Sequence, residues 1–472
     1  MPPSNLDPHQ SVVNIVDFPY LAPVYDRLTQ VRVGPEIAPM LAESWQFAPD
    51  GLSADFTLRT DAVFHDGAPV DAEAVVKSLA RARTVGFRSA PALSMIADVA
   101  VVDDHTVRIA TTRPAADLAS VLASTHAAII NPRALEDGTD LTQTTAGSGP
   151  YQPSEVRFGD RITYTRSEHY WDPDAQKAAT LQIIGMSDDN ARLNAFRSGQ
   201  IDVMLAKVGQ TDELDRLTQQ PQYRVQNFPS AAFYSIALDI GAEYLADVRV
   251  RQALNYAIDR EGIRSGLTKD HCAPLSQPLP AGVVGHNSDV AGRYDYNPDK
   301  ARELLRAAGV PDDLKLRIVN ITGLSPQQEM LTAIQAQLDD VGVDTEVVAM
   351  AAGDAQLMFA QGGYGSMNVR VTYPLPAQTL MAGYMTPTFF PTEPSPEFQD
   401  AVLGSLNPGI SDAERTELYS KASGIASDEA YDIFICSVPT TVAYSNAVVG
   451  MDEVAQVDFT GIMDTRYLGK TS

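Results

Sequence analysis

The amino-acid sequence predicts an α/β fold, on three observations. Between Leu314 and Met350, two β-like runs flank a helical pattern at Gln327 to Val341, which is typical of a βαβ unit in a mostly parallel sheet. Between Leu41 and Ala82, two alternating strands precede an amphipathic helix. No internal repeat and no low-complexity linker interrupts the chain, which favours compact lobes that the chain crosses several times.

Composition and charge narrow the classes of protein that this sequence can encode. With 472 residues, of which 44% are hydrophobic, the chain can bury the cores of several domains, and it contains no apolar run long enough to span a bilayer. The net charge of −25 argues against nucleic acid and against adhesion to anionic lipid, because both need basic patches. We interpret the acidity as a source of solubility; selection of cationic ligands is the alternative.

The stretch from Leu41 to Ala82 predicts a β-hairpin followed by a helix. Asp50-Gly51 separates two alternating apolar runs, where glycine supplies the positive φ of a tight turn. The second strand is predicted to run from Phe56 to Val63, and His65-Asp66-Gly67 to form another turn. Asp71 is a good helix N-cap. The predicted apolar face of the helix consists of Val75, Val76, Leu79 and Ala82.

Three further helices are predicted from the residues at their ends. Asn297 caps a helix that has Pro298 in its first position and Gly309 just past its last turn. Asp247 caps a second helix, and Gly199 terminates a third.

The first part of the chain carries three less regular patterns. A helical pattern covers Ala22 to Leu28, and Asp103 to His105 is predicted to be a hairpin turn. Leu118 to Ile130 is predicted to hold a helix and a strand.

Several stretches together resemble one protein family. Between Leu41 and Leu79 the ordered run LAESW, DG, FTLR and VFHDGAPVDAEAVVKSL is similar to the family 5 extracellular solute-binding proteins, the binding subunits of ABC importers for peptides, nickel complexes and related solutes. The resemblance extends from Leu6 to about Tyr444. It includes the stretches TTAGSGPY at 144–151, DVRVRQALNYAIDR at 247–260 and YDYNPDKARELLRAAG at 294–309.

The resemblance implies an α/β bilobal fold of the periplasmic-binding-protein type, with an extra inserted domain and a hinge between the lobes. Domain I would comprise residues 1–44, 150–231 and 445–472. Domain II, residues 45–149, would pack on the same lobe, and domain III, residues 232–444, would form the second lobe.

The function implied by the resemblance is that of an extracytoplasmic solute-binding subunit of an ABC importer. It would capture a peptide-like or other small polar organic solute by hinge closure and deliver it to a permease with its ATPase subunits. We expect a monomer without cofactor or metal, either periplasmic or lipid-anchored on the outer face of the membrane. The start of the sequence, MPPSNLDPHQSV, lacks the basic and apolar regions of a signal peptide, so we expect that peptide to be absent from this sequence.

Motifs for catalysis are weak in this sequence. The histidines form neither H-x-x-x-H nor H-E-x-x-H, and the Gly-Ser-Gly at Ser148 does not match G-x-S-x-G. We therefore predict no enzyme activity. A hydrolase whose triad assembles in space is one alternative, and a peptide-binding chaperone or signalling receptor with the same fold is another.

Cys272 and Cys436 are the two cysteines of the chain. The exported location implied by the resemblance favours a disulfide between them. The alternative is a pair of buried thiols that act as small apolar residues.

Most of the further candidate ligand contacts are aromatic residues, together with Asp17 and Met385, at positions that the resemblance implies lie near the cleft. Aromatic side chains suit a cleft that buries most of its ligand. For each residue, a role in core packing is the alternative. The candidates are Asp17, Phe18 and Tyr20 just before the first predicted helix, Phe233 and Tyr234 at the start of the second lobe, and Tyr384, Met385 and Phe389 near the C-terminal lobe's proline loop.

Arg370 and the residues after it depart from the family pattern. Peptide-binding members place an aspartate ahead of a Tyr-Pro pair, where it binds the ligand's α-ammonium; here Thr372 precedes Tyr373 and Pro374. We therefore expect poor recognition of a free peptide N-terminus. The fork of Arg370 would suit a carboxylate, a phosphate or a hydroxyl-rich solute if it faces the cleft. A position at the rim, or pairing with a local acid, is the alternative.

Overall fold

A computed structural model describes residues 5–10, 14–32, 36–86, 89–206, 210–228, 233–311, 314–321, 327–362, 364–371, 375–455 and 463–471. The β-strands of these residues, β1 to β20 in chain order, are Thr29–Arg32, Glu36–Pro39, Ala42–Phe47, Ser53–Leu58, Ile96–Asp103, Thr106–Thr111, Tyr151–Arg157, Arg161–Arg166, Thr180–Ile184, Val203–Ala206, Tyr223–Phe228, Phe233–Leu238, Ala273–Pro274, Leu314–Ile321, Val343–Met350, Ser366–Val371, Asp432–Ser437, Thr440–Ser445, Val448–Val449 and Gly469–Lys470.

The α-helices of the described residues range from single turns to the long helix before β17. In chain order, α1 to α15 are Asn14–Leu21, Ala72–Ala82, Ser89–Ala92, Leu118–Val121, Pro132–Glu136, Asp189–Arg197, Thr211–Thr218, Val248–Tyr256, Arg260–Gly262, Pro298–Ala308, Gln327–Asp340, Ala352–Ala360, Pro376–Tyr384, Pro396–Ser405 and Asp412–Asp428. Short 3₁₀ helices lie at Thr125–Ala127, Pro173–Gln176, Ser288–Val290 and Met451–Glu453, and a π-helical turn at Ile263–Leu267.

A mixed six-stranded sheet forms the centre of one lobe, which we call lobe 2 (residues 233–437). Its strand order is β13-β17-β12-β16-β14-β15. β14 is parallel to both β15 and β16, and α11 connects β14 to β15, so the predicted βαβ unit is confirmed. Buried apolar side chains on the two faces of the sheet belong to two separate core clusters.

The remaining chain forms lobe 1, which contains several smaller sheets. The four-stranded sheet β3-β4-β6-β5 carries α2 against it. The predicted hairpin is confirmed, with Gly51 at φ 70°, and Asp71 caps α2 by accepting a hydrogen bond from the Ala74 amide at 2.9 Å. The caps at Asp247 and Asn297 and the left-handed Gly309 are confirmed as well.

The chain passes between the two lobes at two neighbouring places. One passage runs from β11 of lobe 1 to β12 of lobe 2, and the other from β17 of lobe 2 back to β18 of lobe 1. β12 pairs with β17 in lobe 2, and β11 pairs with β18 in lobe 1. Two adjacent strand passages of this kind can act as a hinge.

Cys272 and Cys436 are joined by a disulfide in lobe 2, with their Cα atoms 5.7 Å apart. The bond lies beside the pairing of β13 with β17, where Pro274 stands opposite Cys436. Cys436 is the last residue but one of β17. The disulfide therefore ties the lobe-2 end of one hinge strand to the edge of the sheet.

Two predictions for the first part of the chain are wrong in position. The helix expected at Ala22 to Leu28 lies earlier, as α1, and ends at Leu21, because Pro23 lacks an amide donor and disfavours helical backbone at the residue before it. Asp17, Phe18 and Tyr20 are consequently inside α1 rather than ahead of it.

Two strand predictions also fail. The segment before Ile130 contains α4 and a 3₁₀ turn but no strand. The Ile129 amide donates to the Asp26 carbonyl at 2.9 Å, and the Ile130 amide to the Ser78 hydroxyl at 2.9 Å, instead of joining a ladder. β4 ends at Leu58, and Val63 makes only an isolated bridge with Pro69.

Candidate functional site

The carboxyl ends of the parallel strands lie at the hinge end of lobe 2. The strands β14, β15 and β16 end at Ile321, Met350 and Val371. Phe233, the first residue of β12 after the hinge passage, pairs with Val371 on one side and with Ser437 on the other. Ligands of α/β sheets bind beyond the carboxyl ends of parallel strands. This edge of lobe 2 is therefore one wall of the candidate site.

Arg370 belongs to this edge by its position in the sheet. It is the last residue but one of β16, and its backbone stands opposite Tyr234 in the register. The helix α13 begins at Pro376, shortly after the strand ends. Thr372 and Tyr373, also predicted as ligand contacts, lie outside the described residues.

Phe233 and Tyr234 are placed in the cores of lobe 2. Both are about 1% exposed, and because they are neighbours on β12 they point to opposite faces of the sheet. Phe233 joins one core cluster and Tyr234 the other. The structure thus assigns them the packing role that the sequence left as the alternative.

Tyr384 is a core residue of lobe 2 in the structure. Its ring makes edge contacts with Phe390 and Phe398, with centroids 5.5 and 5.4 Å away, and its hydroxyl donates a hydrogen bond to the buried carboxyl of Asp432. Met385 and Phe389 are half-buried against the same cluster, so only these two of the three keep surface beyond the core.

We take α1 and the start of β1 in lobe 1 as the opposite wall of the candidate site, because α1 carries three of the predicted contacts. Asp17, Phe18 and Tyr20 are all buried. Tyr20 packs in a core cluster, its carbonyl accepts a hydrogen bond from the Tyr164 hydroxyl at 2.8 Å, and burial raises its pKa to about 12. The Phe18 ring has the guanidinium of Arg27 over it, 5.4 Å from the ring centroid. Phe18 therefore lies against a cationic side chain.

A cluster of buried charged residues lies beneath this wall, and the sequence analysis missed it. The cluster, which we call the Asp26 cluster, contains Asp26, Arg27, Asp464 and Arg466, each no more than 2% exposed. A signal was present, since Asp26 and Arg27 are adjacent charges inside the apolar run LAPVYDRL. Burying charge is costly unless it is paired and hydrogen-bonded, so each member needs its own account.

Asp26 is surrounded by three hydrogen-bond donors. It accepts from the Tyr170 hydroxyl at 3.0 Å, from the Trp171 indole at 3.2 Å and from the Ser148 hydroxyl at 3.2 Å. Burial raises the pKa of Asp26, and the charge of Arg466 together with these hydrogen bonds opposes the rise. Ser148, Tyr170 and Trp171 thus hold a buried carboxylate rather than a ligand.

Asp464 and Arg466 form a paired unit in the same cluster. The Arg466 Nε donates to Asp464 Oδ1 at 2.8 Å and Nη2 to Oδ2 at 2.5 Å, while Nη2 also donates to Gln30 Oε1 at 2.9 Å. Burial raises the pKa of Asp464, but the Arg466 charge and hydrogen bonds outweigh this and leave it below its usual value. The pair is therefore ionised.

The two lobes also contact each other away from the hinge, around α4. The Ala116 amide donates to the Leu406 carbonyl at 2.8 Å, and the Ser120 hydroxyl donates to the Gln378 side chain of α13 at 3.1 Å. We call these four residues the α4 latch. On its other side, α4 accepts a hydrogen bond from Thr29 of β1 at Ala119, at 2.5 Å. The helix α4 therefore bonds to β1 of lobe 1 on one side and to α13 of lobe 2 on the other.

Loss of the Ser120–Gln378 hydrogen bond of the α4 latch is expected to shift the protein toward an open arrangement. A Ser120→Ala/Gln378→Ala double variant loses one interlobe hydrogen bond of about 1 kcal/mol, which corresponds to roughly a fivefold change in the closed-to-open ratio. Small-angle X-ray scattering should report a larger radius of gyration than for wild type. Ser154→Ala, which changes an exposed serine of β7, is the control. An unchanged scattering profile would show that the Ser120–Gln378 hydrogen bond does not hold the lobes together.

Comparison with known proteins assigns this two-lobed architecture. The model of the bacterial extracellular solute-binding proteins, family 5 Middle, matches residues 36–388. The chain belongs to this family. The glutathione-binding protein GsiB of Salmonella paratyphi A is 27% identical over 426 residues, which cover 87% of this chain and 82% of GsiB. Family 5 proteins are extracellular binding proteins by description, and GsiB is named for binding rather than for catalysis.

Solved family 5 structures share the whole fold. The periplasmic binding protein DppA from Helicobacter pylori, in complex with the peptide STSA, superposes with a TM-score of 0.81 at 23% identity and covers 98% of this chain and 96% of that one. NikZ from Campylobacter jejuni, in complex with Ni(L-His), gives 0.80 at 21% identity, with 99% and 97% covered. The predicted bilobal fold and the family resemblance are therefore confirmed.

No helix in the described part of the chain is both long and apolar enough to cross a membrane. Within the same residues, His, Cys, Asp and Glu side chains do not gather into a group of three or more that could hold a metal ion.

Proposed function

We propose that this family 5 protein captures a peptide-like or other small polar organic solute between its lobes and delivers it to the permease of an ABC importer. The observation that carries the proposal is the pairing of a two-strand hinge with a separate interlobe contact at the α4 latch. A solute that contacts both walls would stabilise the closed arrangement by its differential affinity for that state. The energy for transport would come from ATP hydrolysed by other subunits.

The proposed cleft lies between the Phe18–Arg27 wall and the carboxyl edge of the lobe-2 sheet. Its proposed contacts are Asp17 and Phe18 from lobe 1, and Arg370, Thr372 and Tyr373 from lobe 2. The names of relatives support this class of solute: GsiB is named for glutathione, and the DppA structure contains a peptide. We retain the three proposed domains, a monomeric state and a periplasmic or lipid-anchored location as parts of the proposal.

The solute can be identified by what occupies the purified protein. Native mass spectrometry of protein purified under mild conditions should detect a bound small molecule, and a thermal-shift panel of glutathione, dipeptides, blocked peptides and organic acids should show which class raises the melting temperature. A protein that carries no solute and gains no stability from any member of the panel would contradict the proposal.

Peptides with a free N-terminus are expected to bind poorly, because Thr372 stands where peptide-binding relatives have a carboxylate for the α-ammonium. Arg370→Ala is expected to weaken binding of the native solute about ten- to a hundredfold, by loss of charged hydrogen bonds. Isothermal titration calorimetry measures both effects, with Arg317→Ala on the neighbouring strand β14 as the control. Tight dipeptide binding that Arg370→Ala leaves unchanged would contradict this prediction.

A further inference from the structure

We propose that Arg27 binds an anionic oxygen group of the solute, a carboxylate or a similar oxyanion, on the lobe-1 wall. The inference rests on the proposed function, because it names a chemical feature of the solute that the cleft would take. It adds a binding residue on lobe 1, where the sequence analysis had placed only Asp17, Phe18 and Tyr20.

Arg27 is buried without the hydrogen bonds that a buried guanidinium needs. Its side chain is about 1% exposed, and no described residue accepts a hydrogen bond from its buried Nε or Nη1. A buried charged donor that lacks an acceptor costs several times more than an ordinary hydrogen bond contributes. The side chain therefore requires an acceptor that the described residues do not supply.

The other deeply buried arginines of the described chain show what full pairing looks like here. Arg251, Arg260 and Arg466 each donate from all three side-chain nitrogens. Arg260, for example, bonds the Phe434 carbonyl at 2.8 Å and the Asn255 side chain at 2.9 Å. Arg27 differs from these three, although it is as thoroughly buried.

The nearest carboxylates are engaged by other donors. Asp26 accepts from three neighbouring side chains, and both oxygens of Asp464 accept from Arg466. Their charges still help to keep Arg27 protonated. Burial lowers the pKa of Arg27 to about 10 and the Arg466 charge adds to that decrease, but this pKa remains well above neutrality. Arg27 is thus a cation at physiological pH that has electrostatic partners, but its Nε and Nη1 have no acceptor among the described residues.

The position of Arg27 suits a solute held between the lobes. Thr29, two residues further along, bonds α4, and α4 contacts Gln378 of lobe 2. The Phe18 ring, which is itself buried, lies beside the guanidinium and makes the surroundings of the charge apolar. The planar fork of arginine matches the two oxygens of a carboxylate, so the site would favour an organic acid group attached to an apolar or aliphatic stem.

Soaking crystals of the full chain in sodium bromide tests whether Arg27 binds an anion. We expect an anomalous bromide peak within about 3.5 Å of Nε or Nη1, because bromide is a small anion that can take the place of a carboxylate oxygen. This experiment needs neither a variant nor the native solute. An ordered water at this position, or bromide peaks only elsewhere on the protein, would overturn the proposal.

Solution binding supplies the second test, with sodium acetate as the anionic probe and acetamide as its neutral counterpart at matched ionic strength. Acetate should raise the melting temperature of the wild type more than acetamide does. The acetate concentration for half of that effect should rise at least about tenfold in Arg27→Met. Protection by acetate that Arg27→Met retains would overturn the proposal.

Matched variants separate a binding role from a structural one. Arg27→Met loses no hydrogen bond from Nε or Nη1 to any described residue and should stay folded, with a melting temperature only a few degrees from that of wild type. Arg466→Met leaves Asp464 buried and unpaired, so it should be far less stable. If both variants lowered the melting temperature by the same amount, Arg27 would be a structural counter-ion rather than a binding residue. A third outcome is possible, in which bromide binds at Arg27 but no solute of the thermal-shift panel stabilises the protein. That result would contradict the proposed function and leave the anion site at Arg27 supported.

Discussion

A Cys272→Ala/Cys436→Ala double variant is expected to lose about 2–5 kcal/mol of the free energy of unfolding, as is usual for native disulfides. The two cysteines are 164 residues apart, so the bond restricts a long loop of the unfolded chain. The bond also ties β13 to β17 just before the chain leaves lobe 2. Without it, the lobe-2 end of the hinge would lose its covalent link to the sheet edge and keep only ladder hydrogen bonds and core packing.

Urea unfolding followed by circular dichroism measures this loss. The wild type with and without reductant is the matched control, because reduction breaks the same bond without changing any side-chain packing. Both treatments should lower the urea midpoint by similar amounts. Equal stability of the oxidised wild type and the double variant would mean that the disulfide restricts neither state of the chain.

An Asp432→Asn variant is expected to abolish a large pH dependence of stability. Burial raises the pKa of Asp432 from 3.8 to about 7, although the Tyr384 hydrogen bond acts in the opposite direction. Because the pKa is higher in the folded state, folding takes up a proton between these two values. The contribution to stability is complete below about pH 4 and declines as the pH rises to about 7, by about 4 kcal/mol in total.

The experiment compares unfolding free energies at about pH 5 and pH 8. The wild type should lose stability between these values through Asp432, whereas Asp432→Asn, which keeps the size and an acceptor for Tyr384, should lose much less. Asp137→Asn, at an exposed position just after α5, is the control and should behave as wild type does. A variant with the same pH slope as the wild type would show that Asp432 does not titrate in this range.

The local elements of this protein could be predicted because their causes lie within a few residues. Asp71 caps α2 through an amide three positions away, and Gly309 ends α10 by its own left-handed backbone. One failure was local, because Pro23 moved the first helix to α1. The other was not: the Ile129 and Ile130 amides bond to the Asp26 carbonyl and the Ser78 hydroxyl, which are distant in the sequence, instead of joining a strand. The effect of Pro23 on the helix could have been predicted from the sequence, whereas the hydrogen-bond partners of Ile130 could not.

The side-chain roles at the candidate site could be predicted less well. Tyr384 was a reasonable cleft residue by sequence, but its hydroxyl is bound by Asp432, which is close only after β17 and α13 have packed. The positions of Phe233 and Tyr234 likewise depend on tertiary packing, because each side chain joins one of the two cores on either face of β12. An aromatic residue does not indicate by its type whether core or solute covers its ring.

The sequence by itself determined the family, the α/β class and the capped helices, because these depend on short-range patterns and ordered motifs. Only the tertiary structure decided which buried charges have hydrogen-bond partners. The Asp26 cluster brings together Asp26 and Arg466 from nearly opposite ends of the chain. Within this cluster, Arg27 is the member whose Nε and Nη1 have no acceptor among the described residues. Whether a buried charge is satisfied depends on every neighbour around it, and those neighbours are set by packing rather than by sequence spacing.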